Sequence, residues 1–160
     1  MNKKTDPVLD AVLRGDAAAL EEALRAGSSP DQSDRAGRTP LSNAVIGDEP
    51  KIAEMLLQAG CNVNSPDKQG FTALHHAAQR YSVAMANLLL SAGAAVDARE
   101  SFGNTPLCRA VFESRGRSEV VAAFLSAGAD QHARNNTGVS PRDLATSIAN
   151  FDVLSLLPEK

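Results

Sequence analysis

Two adjacent histidines and two cysteines are the side chains of this 160-residue chain with types suited to catalysis or metal binding. His75 and His76 could form a metal or acid–base site, but neighbouring helical residues point in different directions, unlike a pair spaced i and i+4. We expect His75 instead to tie down the start of a helix through its hydrogen bonds. Cys108 could act as a nucleophile with His75 as its base. The two residues lie 33 positions apart, however, which is the period of a repeat in this sequence. Equivalent positions of stacked helices are expected about 8–10 Å apart, whereas proton transfer needs about 3 Å.

Known catalytic patterns are also missing from the sequence. It contains no Gly-x-Ser-x-Gly elbow, P-loop, dinucleotide-binding fingerprint or zinc-ligand spacing. Cys61 and Cys108 are therefore interpreted as small, half-buried apolar residues. We predict that the protein is not an enzyme and has no catalytic residue, no cofactor and no metal.

Composition predicts the fold class and excludes several functions. Aromatic side chains make up only 4% of the sequence, whereas alanine and leucine are abundant, a bias that favours helices over a β-sandwich or barrel. Sixteen basic residues against 19 acidic ones give a net charge of −3, without the basic excess typical of nucleic-acid binders. No run of about 18 apolar residues occurs, so no membrane span is predicted. The two cysteines and the absence of a signal-peptide pattern lead us to expect a cytoplasmic, reduced chain.

A repeat of fixed period organises the elements that must position these side chains. Four columns of the sequence keep the same spacing, with two extra residues before the last member: Gly37, Gly70, Gly103, Gly138; Thr39, Thr72, Thr105, Ser140; Ala44, Ala77, Ala110, Ala145; and Gly27, Gly60, Gly93, Gly128. A fixed period of about 20–50 residues is typical of stacked repeat proteins, because one unit cannot bury its own apolar face. The two extra residues fall within 113–119, which predicts an insertion in a turn between helices.

Each unit of the repeat predicts two helices. Thr39-Pro40 and Thr105-Pro106 place a capping hydroxyl before a proline at the first helical position. A second helix carries paired leucines such as Leu89-Leu90 and ends at a glycine in the left-handed conformation. A polar link then leads into the next glycine turn.

These motifs resemble the ankyrin repeat, in both the Gly-x-Thr-Pro-Leu-x-x-Ala start and the Leu-Leu-x-x-Gly-Ala end of the unit. The resemblance implies an all-α fold, an ankyrin repeat solenoid of stacked helix-turn-helix units with projecting turns. It covers nearly the whole chain, which we interpret as one domain, 1–160. We predict an N-terminal capping unit, 1–33, three full repeats, 34–66, 67–99 and 100–134, and a C-terminal capping unit, 135–160.

The resemblance also implies a binding surface for proteins. In the family, the turns and the exposed side of the first helices form a concave face. The partner-binding candidates at its repeat-specific positions are Arg35, Arg38, Lys68, Phe71, Arg80, Phe102, Asn104 and Phe112. Phe71 and Phe102 are either interface anchors or rings that fold back over their own turns. The basic residues favour an acidic protein partner, and we expect Arg115 and Arg117 at the rim, where charge steers association.

The predicted function is protein binding by a monomer, with no nucleic-acid or membrane partner. The last unit is similar to that of small stand-alone bacterial ankyrin proteins, some relatives of which are immunity proteins. One hypothesis is therefore that the chain neutralises a cognate toxin or effector. The alternatives are a structural or regulatory adaptor and a stress-related accessory ankyrin protein. Phe124 and Phe151 are predicted to be buried in helices, and Tyr81 is placed in the turn between two helices.

Overall fold

The computed structural model describes residues 6–149 and 151–158, and every regular element in this part of the chain is a helix. The helices follow one another in pairs: α1 (Pro7–Leu13) and α2 (Ala17–Arg25), α3 (Pro40–Ile46) and α4 (Pro50–Gln58), α5 (Ala73–Arg80) and α6 (Val83–Ser91), α7 (Pro106–Glu113) and α8 (Glu119–Ser126), and α9 (Pro141–Ser147) and α10 (Phe151–Leu154). The expected all-helical solenoid is confirmed. One pair lies in each predicted unit, while the division into repeats and capping units stays a prediction.

The first helices α3, α7 and α9 begin where the hydroxyl residue predicts. The Thr39 hydroxyl accepts a hydrogen bond from the Ser42 amide at 3.1 Å, and Thr105 and Ser140 cap α7 and α9 in the same way. A proline follows each of these caps at the first helical position, where its missing N–H leaves no helical hydrogen bond unmade. The short first helices are therefore started by local sequence as well as by packing.

Stacking of equivalent helices builds the core. The first helices α1, α3, α5, α7 and α9 contact one another in succession, as do the second helices α2, α4, α6 and α8. Leu56, Leu89 and Phe124 occupy one repeat column and are fully buried, which confirms the expected burial of Phe124. The side chain of Phe151 lies outside the described residues. Because each unit covers its neighbour's apolar face, stability is shared along the stack.

Hydrogen bonds between turns join the units at one edge. The amides of Lys68, Ser101 and Asn136 donate to carbonyl oxygens of the preceding turn at 2.9–3.1 Å. Gly70, with φ of +83°, permits this approach, since a Cβ there would lie 2.9 Å from the backbone of Glu100. The glycine period thus reflects close backbone packing as well as turn conformation.

Side-chain oxygens join the units at the links that follow the second helices. Asp31 accepts from the Asn62 amide at 2.9 Å, and Asn64 accepts from the Ala95 amide at 2.7 Å. Asp97 makes the equivalent bond to the Asp130 amide at 3.1 Å. The polar links between repeats are therefore structural contacts.

Candidate functional site

The acidic side chains at the start of three projecting turns accept hydrogen bonds from amides of the same turn. A carboxylate oxygen of Asp34 accepts the amides of residues 36 and 38, and Asp67 accepts those of residues 69 and 71, at 2.8–3.0 Å. Glu100 accepts the amides of Phe102 and Asn104. Burial opposes its ionisation, but these hydrogen bonds hold the pKa of Glu100 below its usual value. The turn carboxylates thus act as hydrogen-bond acceptors for backbone amides of their own turns.

The basic candidates divide into free and paired side chains. Arg35, Lys68 and Arg80 are exposed and, within the described part of the chain, make no ion pair. The Nε of Arg38 instead lies 2.9 Å from a carboxylate oxygen of Asp34 in the same turn. Arg38 is therefore oriented by its own turn, and the sequence did not predict this pairing.

The three candidate phenylalanines have different surroundings. Phe102 at the tip of its turn is 73% exposed, and Phe112 near the end of α7 is 57% exposed. Phe71 is half-buried, and its ring centroid lies 5.4 Å from the rings of both His75 and His76. The ring of Phe71 thus packs against histidines of the helix that follows it, whereas the ring of Phe102 is mostly exposed.

Asn104 stands at the edge of a groove between α7 and α9. Its side-chain amide donates to Glu100 at 2.7 Å, and its oxygen accepts from Asn135 at 2.8 Å. The groove has a volume of about 300 Å³, and turn and first-helix residues line it together: Asn104, Cys108, Arg109, Phe112, Asn135, Val139 and Leu144. At this groove, turn residues and first-helix residues therefore share one surface. We keep the name concave face for the predicted surface of the projecting turns and the exposed side of the first helices.

An exposed leucine in α1 was missed by sequence reasoning. Leu13 is 59% exposed and precedes Phe112 by three repeat periods, in the column that also contains Ile46 and Gln79. Extending the column of Phe112 by its 33-residue period into the predicted N-terminal capping unit would have identified Leu13. Apolar side chains thus recur at the same position of three first helices.

The two histidines serve the fold. The Nδ1 atom of His75 accepts the Thr72 amide at 3.2 Å, and its Nε2 lies 3.1 Å from the Asn104 carbonyl oxygen. Because Nδ1 accepts, Nε2 carries the proton and donates to the next turn. Burial lowers the pKa of His75 to about 4, so its ring is neutral. Its expected structural role is confirmed, and Nε2 of His76 lies 3.5 Å from Asp67.

Burial determines the protonation of the two cysteine thiols. Burial raises the pKa of the Cys61 thiol to about 11 and also raises that of Cys108, so both thiols are neutral at physiological pH. Among the described residues, no three His, Cys, Asp or Glu side chains are grouped so that they could hold a metal ion.

The insertion after α7 is ordered by an aromatic residue of the preceding unit. Tyr81 is only 7% exposed, its hydroxyl donates to the Arg117 carbonyl oxygen at 2.5 Å, and the Arg117 guanidinium carbon lies 4.1 Å from its ring centroid. Arg117 also donates to the carbonyl oxygens of Glu113 and Ser114. The insertion lies in the turn between helices as predicted, but Arg117 is anchored to the stack rather than free for steering at a rim.

These features define a class of protein: a stack of helical pairs whose turns and first helices share one surface. The chain belongs to the ankyrin repeat family, because a family model described as ankyrin repeats (3 copies) matches residues 8–100 and 72–135. Members of this family are in general non-enzymatic modules of protein–protein interaction. No curated protein matches the chain significantly. Among the described residues, no helix has the length and apolar character needed to cross a bilayer.

Proposed function

We propose that the chain binds an acidic protein partner through its concave face, with Phe102 and Phe112 as apolar anchors. The observation that carries the proposal is the exposure of these two rings, 73% and 57%, in a chain whose aromatic content is only 4%. Aromatic side chains supply a large share of the binding energy at protein interfaces. The exposed part of each ring is in contact with water in the free chain, so its burial in a complex would contribute binding energy.

The basic residues supply the second part of the proposal. Arg35, Lys68 and Arg80, which we assign to this face, are exposed and make no ion pair among the described residues. A partner with carboxylates at matching positions gains encounter rate and orientation from them. Of the remaining candidates, Arg38, Phe71 and Asn104 already contact other residues of the chain and hold the face in shape.

We further propose that the complex is inhibitory, with the chain acting as a monomeric cytoplasmic immunity protein that covers the active site of a cognate bacterial toxin. The similarity of the last unit to small stand-alone ankyrin proteins supports this role. An adaptor would bind its partners without inhibiting them. If the chain is instead a stress-related accessory protein, its partner or a neighbouring gene should belong to a stress response.

Affinity purification of the tagged full chain, followed by mass spectrometry, identifies the partner, and binding of that partner then tests the face. The double variant Phe102→Ser/Phe112→Ser should lose at least about tenfold in affinity with little change in melting temperature. Val83→Ser on α6 is the matched control, since Val83 is also exposed, at 38%, but begins a second helix. Equal affinity of the double variant and the control would refute the proposed face. Unimpaired activity of a bound toxin would refute inhibition alone.

A further inference from the structure

The groove between α7 and α9 repeats an arrangement that is filled one unit earlier. At the junction of α5 and α7, the Phe71 ring packs on His75 and His76, with the guanidinium carbon of Arg109 5.3 Å from its centroid. The residues one repeat further on are Asn104, Cys108, Arg109 and Leu144, and all four line the groove.

The groove is open because Asn104 replaces the phenylalanine of the preceding turn. An asparagine side chain is smaller than a phenyl ring, and this one is held against the turn by its bonds to Glu100 and Asn135. The remaining walls include the apolar side chains of Phe112, Val139 and Leu144. An apolar cleft with a few polar groups at its edge is the usual form of a site that receives a side chain or small group.

The charges around the groove favour a ligand that carries an anionic group beside its apolar group. In the described part of the chain, Arg109 makes no ion pair. Two carboxylates of the flanking turn and helix already have partners: Glu100, in the turn before α7, accepts three hydrogen bonds, and Asp143 on α9 pairs with Arg134 at 3.2 Å. The Cys108 thiol adds no negative charge because burial raises its pKa.

We infer that this groove receives an aromatic side chain of the partner protein, flanked by a carboxylate of the same segment that pairs with Arg109. The aromatic ring takes the place that Phe71 occupies at the preceding junction. The carboxylate gains a charge-assisted hydrogen bond from the guanidinium. This inference rests on the proposed function and names the segment of the partner that the concave face recognises.

Short peptides test the inference without knowledge of the partner. The probe is an N-acetylated pentapeptide amide with phenylalanine between two aspartates on each side, titrated into the full chain labelled with ¹⁵N. We expect saturable shifts of the backbone amides of Asn104, Arg109 and Asn135. The same peptide with glycine in place of phenylalanine, or with lysines in place of the aspartates, should bind at least about tenfold more weakly. No saturable shift at these amides, or equal binding of the three peptides, would overturn the inference.

Two variants locate the contacts. Arg109→Gln should weaken binding of the acidic phenylalanine peptide about tenfold. The control Arg25→Gln removes an exposed arginine at the end of α2, several units from the groove, and should leave the affinity for the peptide unchanged. Asn104→Phe introduces the residue found at the equivalent position of the preceding unit, Phe71, and should abolish binding of the peptide by filling the groove. A melting curve checks that each variant is folded, and undiminished peptide binding by a folded Arg109→Gln protein would contradict the proposed charge contact.

The inference and the proposed function can fail separately. If the purified partner loses affinity for Phe102→Ser but not for Arg109→Gln or Asn104→Phe, the concave face is correct and the groove is not the anchoring site. If none of these variants affects the partner, both the groove and the face are wrong.

Discussion

Replacing Gly70 by alanine tests whether the turns of neighbouring units are in direct backbone contact. A Cβ at this position would lie 2.9 Å from Cα of Glu100 and 3.1 Å from the Ser101 amide nitrogen, closer than unbonded carbon atoms approach. Both atoms belong to the backbone of the next turn, so a side-chain rotation cannot relieve the contact. The Ser101 amide also donates to the Gln69 carbonyl oxygen at 2.9 Å, and this bond lengthens if the turns separate.

Gly93 in the same unit provides the matched control. Its φ of +84° nearly equals the +83° of Gly70, but a Cβ there would have nothing within 4 Å. Both alanine variants therefore bear the left-handed penalty of about 1–2 kcal/mol. Only Gly70→Ala adds overpacking, at about 1–3 kcal/mol. The difference between the two variants isolates the contact.

Urea unfolding followed by circular dichroism measures the free energy of unfolding of both variants. We expect Gly70→Ala to be less stable than Gly93→Ala by about 1–3 kcal/mol, for the overpacking alone. A difference smaller than about 0.5 kcal/mol, within the usual effect of a surface substitution, would refute the reasoning. The turns would then be free to separate without cost.

Three further substitutions test the core, the buried histidine and the insertion. Leu89→Ala should cost about 2–5 kcal/mol because it empties a fully buried site, and a cost in urea unfolding no larger than that of half-buried Leu90→Ala would show that the stack is misassigned. As the pH falls from 6.5 to about 4, His75 takes up a proton in the unfolded chain but not in the folded one. The free energy of unfolding of the unmutated protein should therefore fall by up to about 3 kcal/mol more than that of His75→Ser. Parallel pH profiles of the two proteins in urea unfolding would contradict this. Tyr81→Leu removes the hydrogen bond to the Arg117 carbonyl oxygen and should expose the insertion to limited proteolysis, whereas an unchanged cleavage rate would show that the insertion is held by other contacts.

The helices and their ends could be predicted because their causes are local. A hydroxyl cap before a proline, such as Thr105-Pro106, fixes a helix start through atoms within a few residues. The fixed period then places every unit in register with the next, and Leu56 and Leu89 fall into the same buried column.

The orientation of surface side chains could not be predicted, since it depends on neighbouring units. Phe71, Arg38 and Asn104 share one repeat column but have different surroundings. The Phe71 ring lies beneath Arg109 of the following unit, whereas Arg38 and Asn104 contact acids of their own turns. Tyr81 is buried, and the insertion of the next unit places Arg117 over its ring. Contacts of this kind become visible only when the stacked units are seen together.

The exposed charges of the projecting turns differ from the net charge of the chain for a structural reason. Net charge counts all carboxylates equally, but Asp34, Asp67 and Glu100 are directed into backbone amides, whose dipoles partly offset their charge. Arg35 and Lys68, which each directly follow one of these acids, are exposed instead. These two turns therefore present cations to solvent in a chain whose net charge is −3.

Association of an acidic partner should consequently slow as salt is added. Raising the ionic strength from about 0.1 M to about 1 M shortens the screening length from about 10 Å to about 3 Å, so steering by exposed cations is lost while contacts within the complex persist. Stopped-flow measurement should show a falling association rate constant with a smaller change in the dissociation rate constant. Lys68→Gln should flatten this salt dependence, whereas Lys51→Gln at the start of α4 should not. An association rate constant that is independent of salt would show that the turn cations do not face the partner.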